Sequence, residues 1–113
     1  MTVREIADKL GYTIIAGEEG CGREAAGVFC CDLLSLAMGR AKADCVWVTV
    51  MGNVNVVAVA ALADVACVVL AEGTEADADA VAKADTRGIS LLAGKLPVFE
   101  TAKAVYDLLS GAV

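Results

Sequence analysis

The chain has no histidine, a single proline, and only five aromatic residues, Tyr12, Phe29, Trp47, Phe99 and Tyr106. Without histidine it lacks the side chain most often used as a general base near neutral pH and as a transition-metal ligand. The five cysteines, Cys21, Cys30, Cys31, Cys45 and Cys67, show no C-x-x-C spacing, so neither a zinc site nor a haem attachment is expected, and no metal or other cofactor is assigned. Basic residues are scarce. Nine Lys and Arg stand against fifteen Asp and Glu, a net charge of -6, and no stretch carries the basic stripe that would neutralise phosphates, which excludes nucleic acid as an expected partner. The first ten residues are interrupted by Arg4, Glu5, Asp8 and Lys9, so no apolar leader is read there and a cytoplasmic setting is expected.

What the chain has in excess is small apolar side chains. Of its 113 residues 58% are hydrophobic, mostly Ala and Val, and the mean hydropathy is +0.68. This is above the roughly 45–50% of ordinary soluble chains and raises the question of a membrane span. The candidate segment is the uncharged run 45–63, long enough to cross a bilayer. Its first part, Val46-Trp47-Val48-Thr49-Val50, is β-branched and aromatic, and Gly52-Asn53-Val54-Asn55 places a turn former and two amides at mid-span. A strand, a turn and a short helix explain the run better than a span does, and no membrane partner is expected. With few rings available, the core must be built by close approach of Ala and Val. The length fits one domain over residues 1–113.

Local signals divide that domain. Thr2 and Glu5 have capping-box spacing ahead of Val3, Ile6, Ala7 and Leu10, which predicts a helix over 2–10 ended by Gly11. Strands are predicted at 12–16 and 27–31, separated by a glycine-rich, charged surface loop. Asp32 is placed to cap a helix carrying Leu33, Leu34, Leu36, Ala37 and Met38, ended by Gly39. Three apolar runs follow, 45–52, 65–73 and 88–94, each closing on a glycine; Gly52, Gly73 and Gly94 are 21 residues apart. Helices are predicted after them over 54–62, 75–86 and 98–109. Strands without period-2 alternation are those buried on both faces, so the pattern predicts a three-layer α/β/α sandwich with a mainly parallel sheet of about five strands. The helix over 54–62 is apolar almost all round. Either it is central in its layer or a second subunit packs on it, and a symmetric homodimer is the favoured reading.

In such sheets ligands gather outside the carboxyl ends of the strands, at the turns 51–54, 72–75 and 93–98. Thr49, Gly52, Asn53, Asn55, Glu72 and Gly73 are the ligand-binding candidates there, with Thr74 and Lys95 beside them, suited to a small polar or anionic molecule. No nucleophile–base pair or carboxylate pair accompanies them, so no catalytic residue is assigned and a non-enzymatic protein is expected. Gly88 to Leu96 fails as a P-loop: five residues separate its glycines and Leu96 replaces the magnesium-binding hydroxyl. Thr74 to Asp79 lacks the glycine and terminal glutamate of a calcium loop. Four cysteines lie in apolar runs and read as buried; Cys21, between Gly20 and Gly22, reads as the exposed one. The alternative function is therefore a small enzyme or thiol-redox protein working through Cys21.

Cys31-Asp32-Leu33-Leu34-Ser35 with Met38-Gly39, Trp47-Val48-Thr49, Gly52 to Ala60, Leu70-Ala71-Glu72-Gly73 and Gly88 to Leu92 together resemble the DRTGG domain family, over roughly residues 1–110. That family is similar to the N-terminal domain of HPr kinase and to the regulatory domain of some phosphotransacetylases. The resemblance implies a commonly dimeric α/β domain that regulates or scaffolds, and, since short members are often encoded near anaerobic redox enzymes such as iron hydrogenases, a partner enzyme of that kind. It adds Asp32 and Ser35 to the candidate ligand-binding positions. The family's Gly-Asp-Arg turn is Gly52-Asn53-Val54 here, and its Thr-Gly-Gly turn is Ala71-Glu72-Gly73, so anion binding through that arginine does not carry over.

Overall fold

A computed structural model describes residues 1–111. The chain opens as its sequence dictates. The Thr2 hydroxyl accepts from the Glu5 amide at 3.2 Å and the Glu5 carboxylate accepts from the Thr2 amide at 2.9 Å, a closed capping box that starts α1 (Val3–Leu10). Five strands follow in one sheet: β1 (Thr13–Ala16), β2 (Val28–Cys30), β3 (Val46–Thr49), β4 (Cys67–Leu70) and β5 (Leu91–Ala93), in spatial order β1-β5-β4-β3-β2. The four strands β2 to β5 are parallel, and only β1 runs against its neighbour β5. Between them lie α2 (Leu34–Arg40), α3 (Val54–Ala63) and α4 (Ala78–Arg87), and α5 (Val98–Leu109) closes the fold. This is the three-layer α/β/α sandwich with a mostly parallel sheet that the pattern predicts.

The direction of winding decides which helix covers which face. From β2 to β5 each strand is added on the same side of the last, and right-handed crossovers then force α2, α3 and α4 onto one face. Trp47, Val68, Leu70 and Leu91 point into that layer; Val46, Val48, Cys67, Val69 and Leu92 point to the other, where α1 and α5 cover them. Both sides of β3 and β4 are buried, which is why they show no alternation. α3 touches α2 on one flank and α4 on the other, so it is the middle helix of its layer. Only Asn55, Ala58 and Leu62 of it are exposed, and this position by itself accounts for its apolar circumference.

At the amino ends of the central strands a clasp of charge holds two tight turns together. Asp44 and Asp64 both adopt left-handed backbone angles, φ 67° and 61°, and Arg23 reaches both. Its guanidinium donates to the Asp44 carboxylate at 2.7 and 3.0 Å, to the Asp64 carboxylate at 2.9 Å and to the Asp64 carbonyl at 2.6 Å. These bonds raise the Arg23 pKa still further, the Asp64 contact contributing most.

Three local expectations are corrected. Asp32 does not cap α2; Leu33 occupies that position, because the Asp32 carboxylate is drawn instead to β3. Gly39 does not end α2 but lies within it, one residue before its last, Arg40. The glycine-rich segment after β1 is not an open loop: Glu18–Gly22 forms a 3₁₀ helix packed on the residues leading into β5. There the Gly17 amide donates to Asp85 at 2.8 Å and the Gly17 carbonyl accepts from Ser90 at 2.9 Å.

Gly17 has φ 70° and lies so close to β5's lead-in that a Cβ would overlap the Ile89 carbonyl. Gly17→Ala therefore combines a left-handed strain with an unavoidable overlap. It is expected to lower unfolding free energy by about 3 kcal/mol or more in urea denaturation, and a loss under about 1 kcal/mol would contradict this packing.

Candidate functional site

Where neighbouring parallel strands send their helices to opposite faces, the connecting turns diverge and leave a crevice. α3 and α4 leave β3 and β4 for the same face, whereas α4 and α5 leave β4 and β5 for opposite faces. The crevice therefore belongs between the carboxyl ends of β4 and β5, and there a cleft of about 760 Å³ is found. One wall is the turn Gly73 to Ala76 and another is Ala93 to Leu96. The third comes from the opposite end of the sequence: β1 is antiparallel to β5, Thr13 pairs with Ala93, and so Leu10, Gly11, Tyr12 and Thr13 reach the same place.

Tyr12 is seated against Gly94, where a Cβ would come within 2.9 Å of the ring. Burial pushes the Tyr12 hydroxyl up to about 12, with Cys67 adding a smaller contribution. It remains a protonated donor throughout the physiological range. Around it the cleft is mainly apolar, with Leu10, Ile15, Leu96 and Ala104, and carries one cation, Lys95, and one carboxylate, Glu75. Neither charge forms an ion pair among the described residues.

The candidates read from sequence divide between this cleft and the closed turn beside it. Gly73 lines the cleft, as do Thr74 and Lys95. Glu72 is exposed on the same turn with φ 63°, its amide bonded to the Leu96 carbonyl at 2.9 Å. The turn after β3 is engaged internally. Thr49 is fully buried and donates to Asp32 at 2.7 Å; the same Asp32 oxygen accepts from the Val50 amide at 3.0 Å. Asn53 caps α3, accepting from the Val56 amide at 3.2 Å. Gly52 packs on the chain entering α4, where a Cβ would overlap the Glu75 carbonyl, and its own carbonyl accepts from Asp77 at 2.8 Å. Asn55 and Ser35 are exposed in the first turns of α3 and α2, outside the cleft. Tyr12 and Thr13 were not among the candidates, since only a β1–β5 pairing nearly 80 residues apart in sequence brings them here.

The cysteine expectations are corrected as well. Cys21 is fully buried, not exposed. Ser90 gives its one hydroxyl hydrogen to Gly17, so at the 3.4 Å Cys21–Ser90 contact it is the thiol that donates. Cys30, expected to be buried, is exposed on the edge strand β2, and Cys31 is half-buried. Burial pushes up the thiols of Cys45 and Cys67; at the accessible Cys30, partial desolvation of the sulfur against its neighbours and the nearby Asp32 carboxylate act in the same direction, so none of these three is an activated thiolate. Cys21 offers no accessible thiol for the redox alternative. No group of three or more His, Cys, Asp or Glu among the described residues could hold a metal ion. No described helix is long and apolar enough to cross a membrane.

No protein-family model matches the chain, and neither does any curated protein sequence. Among solved structures, it is similar to the CBS and DRTGG domains of the regulatory region of Clostridium perfringens pyrophosphatase, a structure complexed with the activator diadenosine tetraphosphate. The match has a TM-score of 0.70 at 12% sequence identity and covers 92% of this chain and 45% of that one. The chain thus spans under half the length of that region, and the two share a fold.

Two measurements check this geometry. Under native conditions a maleimide is expected to label Cys30 first and Cys31 slowly, with Cys21, Cys45 and Cys67 reacting only on unfolding; fast native labelling of Cys21 would contradict its burial. Tyr12 ionises near pH 10 in the unfolded chain but at about 12 in the folded one. Its contribution to stability is therefore complete below pH 10 and lost as pH rises through that window. Tyr12→Phe should flatten the alkaline fall in stability relative to wild type; identical pH profiles would show that Tyr12 is not shielded.

Proposed function

We propose that this chain is a non-catalytic regulatory module of the DRTGG kind, one domain over residues 1–113. It takes a small ligand in the β4–β5 cleft, acts as a cytoplasmic homodimer and docks on a partner enzyme of redox or hydrogenase metabolism, the setting that the DRTGG resemblance implies. The observation that carries the reading is the cleft itself. It lies at the position where the sheet topology opens a crevice and has the size of a small-molecule site. Yet it presents one lysine, one glutamate, two threonines and a protonated tyrosine rather than a nucleophile with its base. The fold shared with a pyrophosphatase regulatory region supports the same direction. The homodimer reading has support at the other end of the sheet, where Leu33, Leu36 and Met38 are exposed beside the edge strand β2.

Thermal unfolding with a panel of nucleotides, small phosphates and carboxylates tests the module. At least one class is expected to raise Tm by several degrees in wild type, as binding to the folded state alone requires, and not in Thr13→Trp, which fills the cleft mouth. No stabilisation by any compound would leave only the partner-docking role. Sedimentation at micromolar concentration is expected to give twice the chain mass; a strict monomer would overturn the dimer.

A further inference from the structure

We propose that the cleft is built for a flat, ring-containing molecule bearing a single anionic group, with the ring against Tyr12 and the anion toward Lys95. The inference rests on the cleft being a small-ligand site and names what that site would select. The ring preference follows from the Tyr12–Gly94 contact. An aromatic side chain held against a glycine, in a cleft lined also by Leu10, Ile15 and Leu96, offers an apolar wall and a hydroxyl that bonds to no other described residue.

The charge preference comes from Lys95. Lys95 is the one cation of the lining and stands just before α5, whose first turn receives no side-chain cap; α4, which starts beyond Glu75 on the facing wall, has none either. Acidic side chains stand in both first turns, Asp79 in α4 and Glu100 in α5, and offset the partial charge of those helix starts, so the attraction for an anion rests on Lys95. The limit to one anionic group comes from Glu75 and from the chain's net charge of -6, both of which oppose a polyanion.

A pair of probes separates ring from charge: 8-anilinonaphthalene-1-sulfonate, and N-phenyl-1-naphthylamine, which has the same rings without the sulfonate. The sulfonate is expected to bind wild type with one-to-one saturation and about fivefold tighter than the neutral amine. Lys95→Gln should remove that advantage and leave the amine within twofold, as loss of one exposed charge pair implies. Tyr12→Leu should weaken both by about three- to tenfold, the range of a ring–ring contact. Thr13→Trp and, independently, Ala104→Trp should abolish both signals. Equal binding of the two probes with no effect of Lys95→Gln would overturn the anion assignment while leaving the cleft as a ligand site. Unchanged binding in Tyr12→Leu would overturn the ring assignment. Fluorescence that persists in both tryptophan variants, or no binding in wild type, would overturn the cleft reading and this inference with it.

Discussion

The handedness of three crossovers is the constraint on which the rest of this fold depends. Because β2 to β5 are laid down in one direction, α2, α3 and α4 must share a face, and α5, which follows the last parallel strand and is free of that rule, crosses to the other. Every later feature follows. α3 is flanked on both sides and can be apolar almost all round; α1 and α5 are left to cover the second face; and the pair of turns that diverges among the described residues, after β4 and β5, opens the cleft. Chemistry at the strand ends is thus placed by topology before any side chain is considered.

The glycines at 52, 73 and 94 show how one sequence period conceals three physical causes. Gly52 permits the β3 turn to lie against the chain entering α4, Gly73 supplies φ 68°, and Gly94 makes room for a tyrosine from the far end of the chain. Two of them are linked, the Gly73 amide bonding to the Gly94 carbonyl at 2.9 Å, whereas the Gly52 carbonyl accepts from Asp77. A small residue at each strand end is legible from spacing alone. Which of the three turns closes and which pair stays open is not.

Most of the architecture was legible for local reasons. Capping at Thr2, the apolar runs and the helix over 98–109 are signals carried within a few residues, and they place the elements to within about three residues. The misreadings share a long-range cause. Asp32 looks like a cap until β3 presents the Thr49 hydroxyl and the Val50 amide to it. Cys21, between two glycines, looks exposed until the 3₁₀ helix folds back on Ser90. The cleft was half legible, since two of its walls are the turns after β4 and β5, but the third wall exists only because β1 pairs with β5.

That last pairing bears on how the molecule is made. A ribosome releases residues 13–16 long before residues 91–93, so β1 has no partner until almost the whole sheet has emerged. Until then Ile14 and Ile15 lie on an unmatched strand, and the segment around Tyr12 has nothing to rest on. The slowest and most aggregation-exposed moment in the life of this chain should be the wait for its fifth strand, a delay common to folds whose ends must meet.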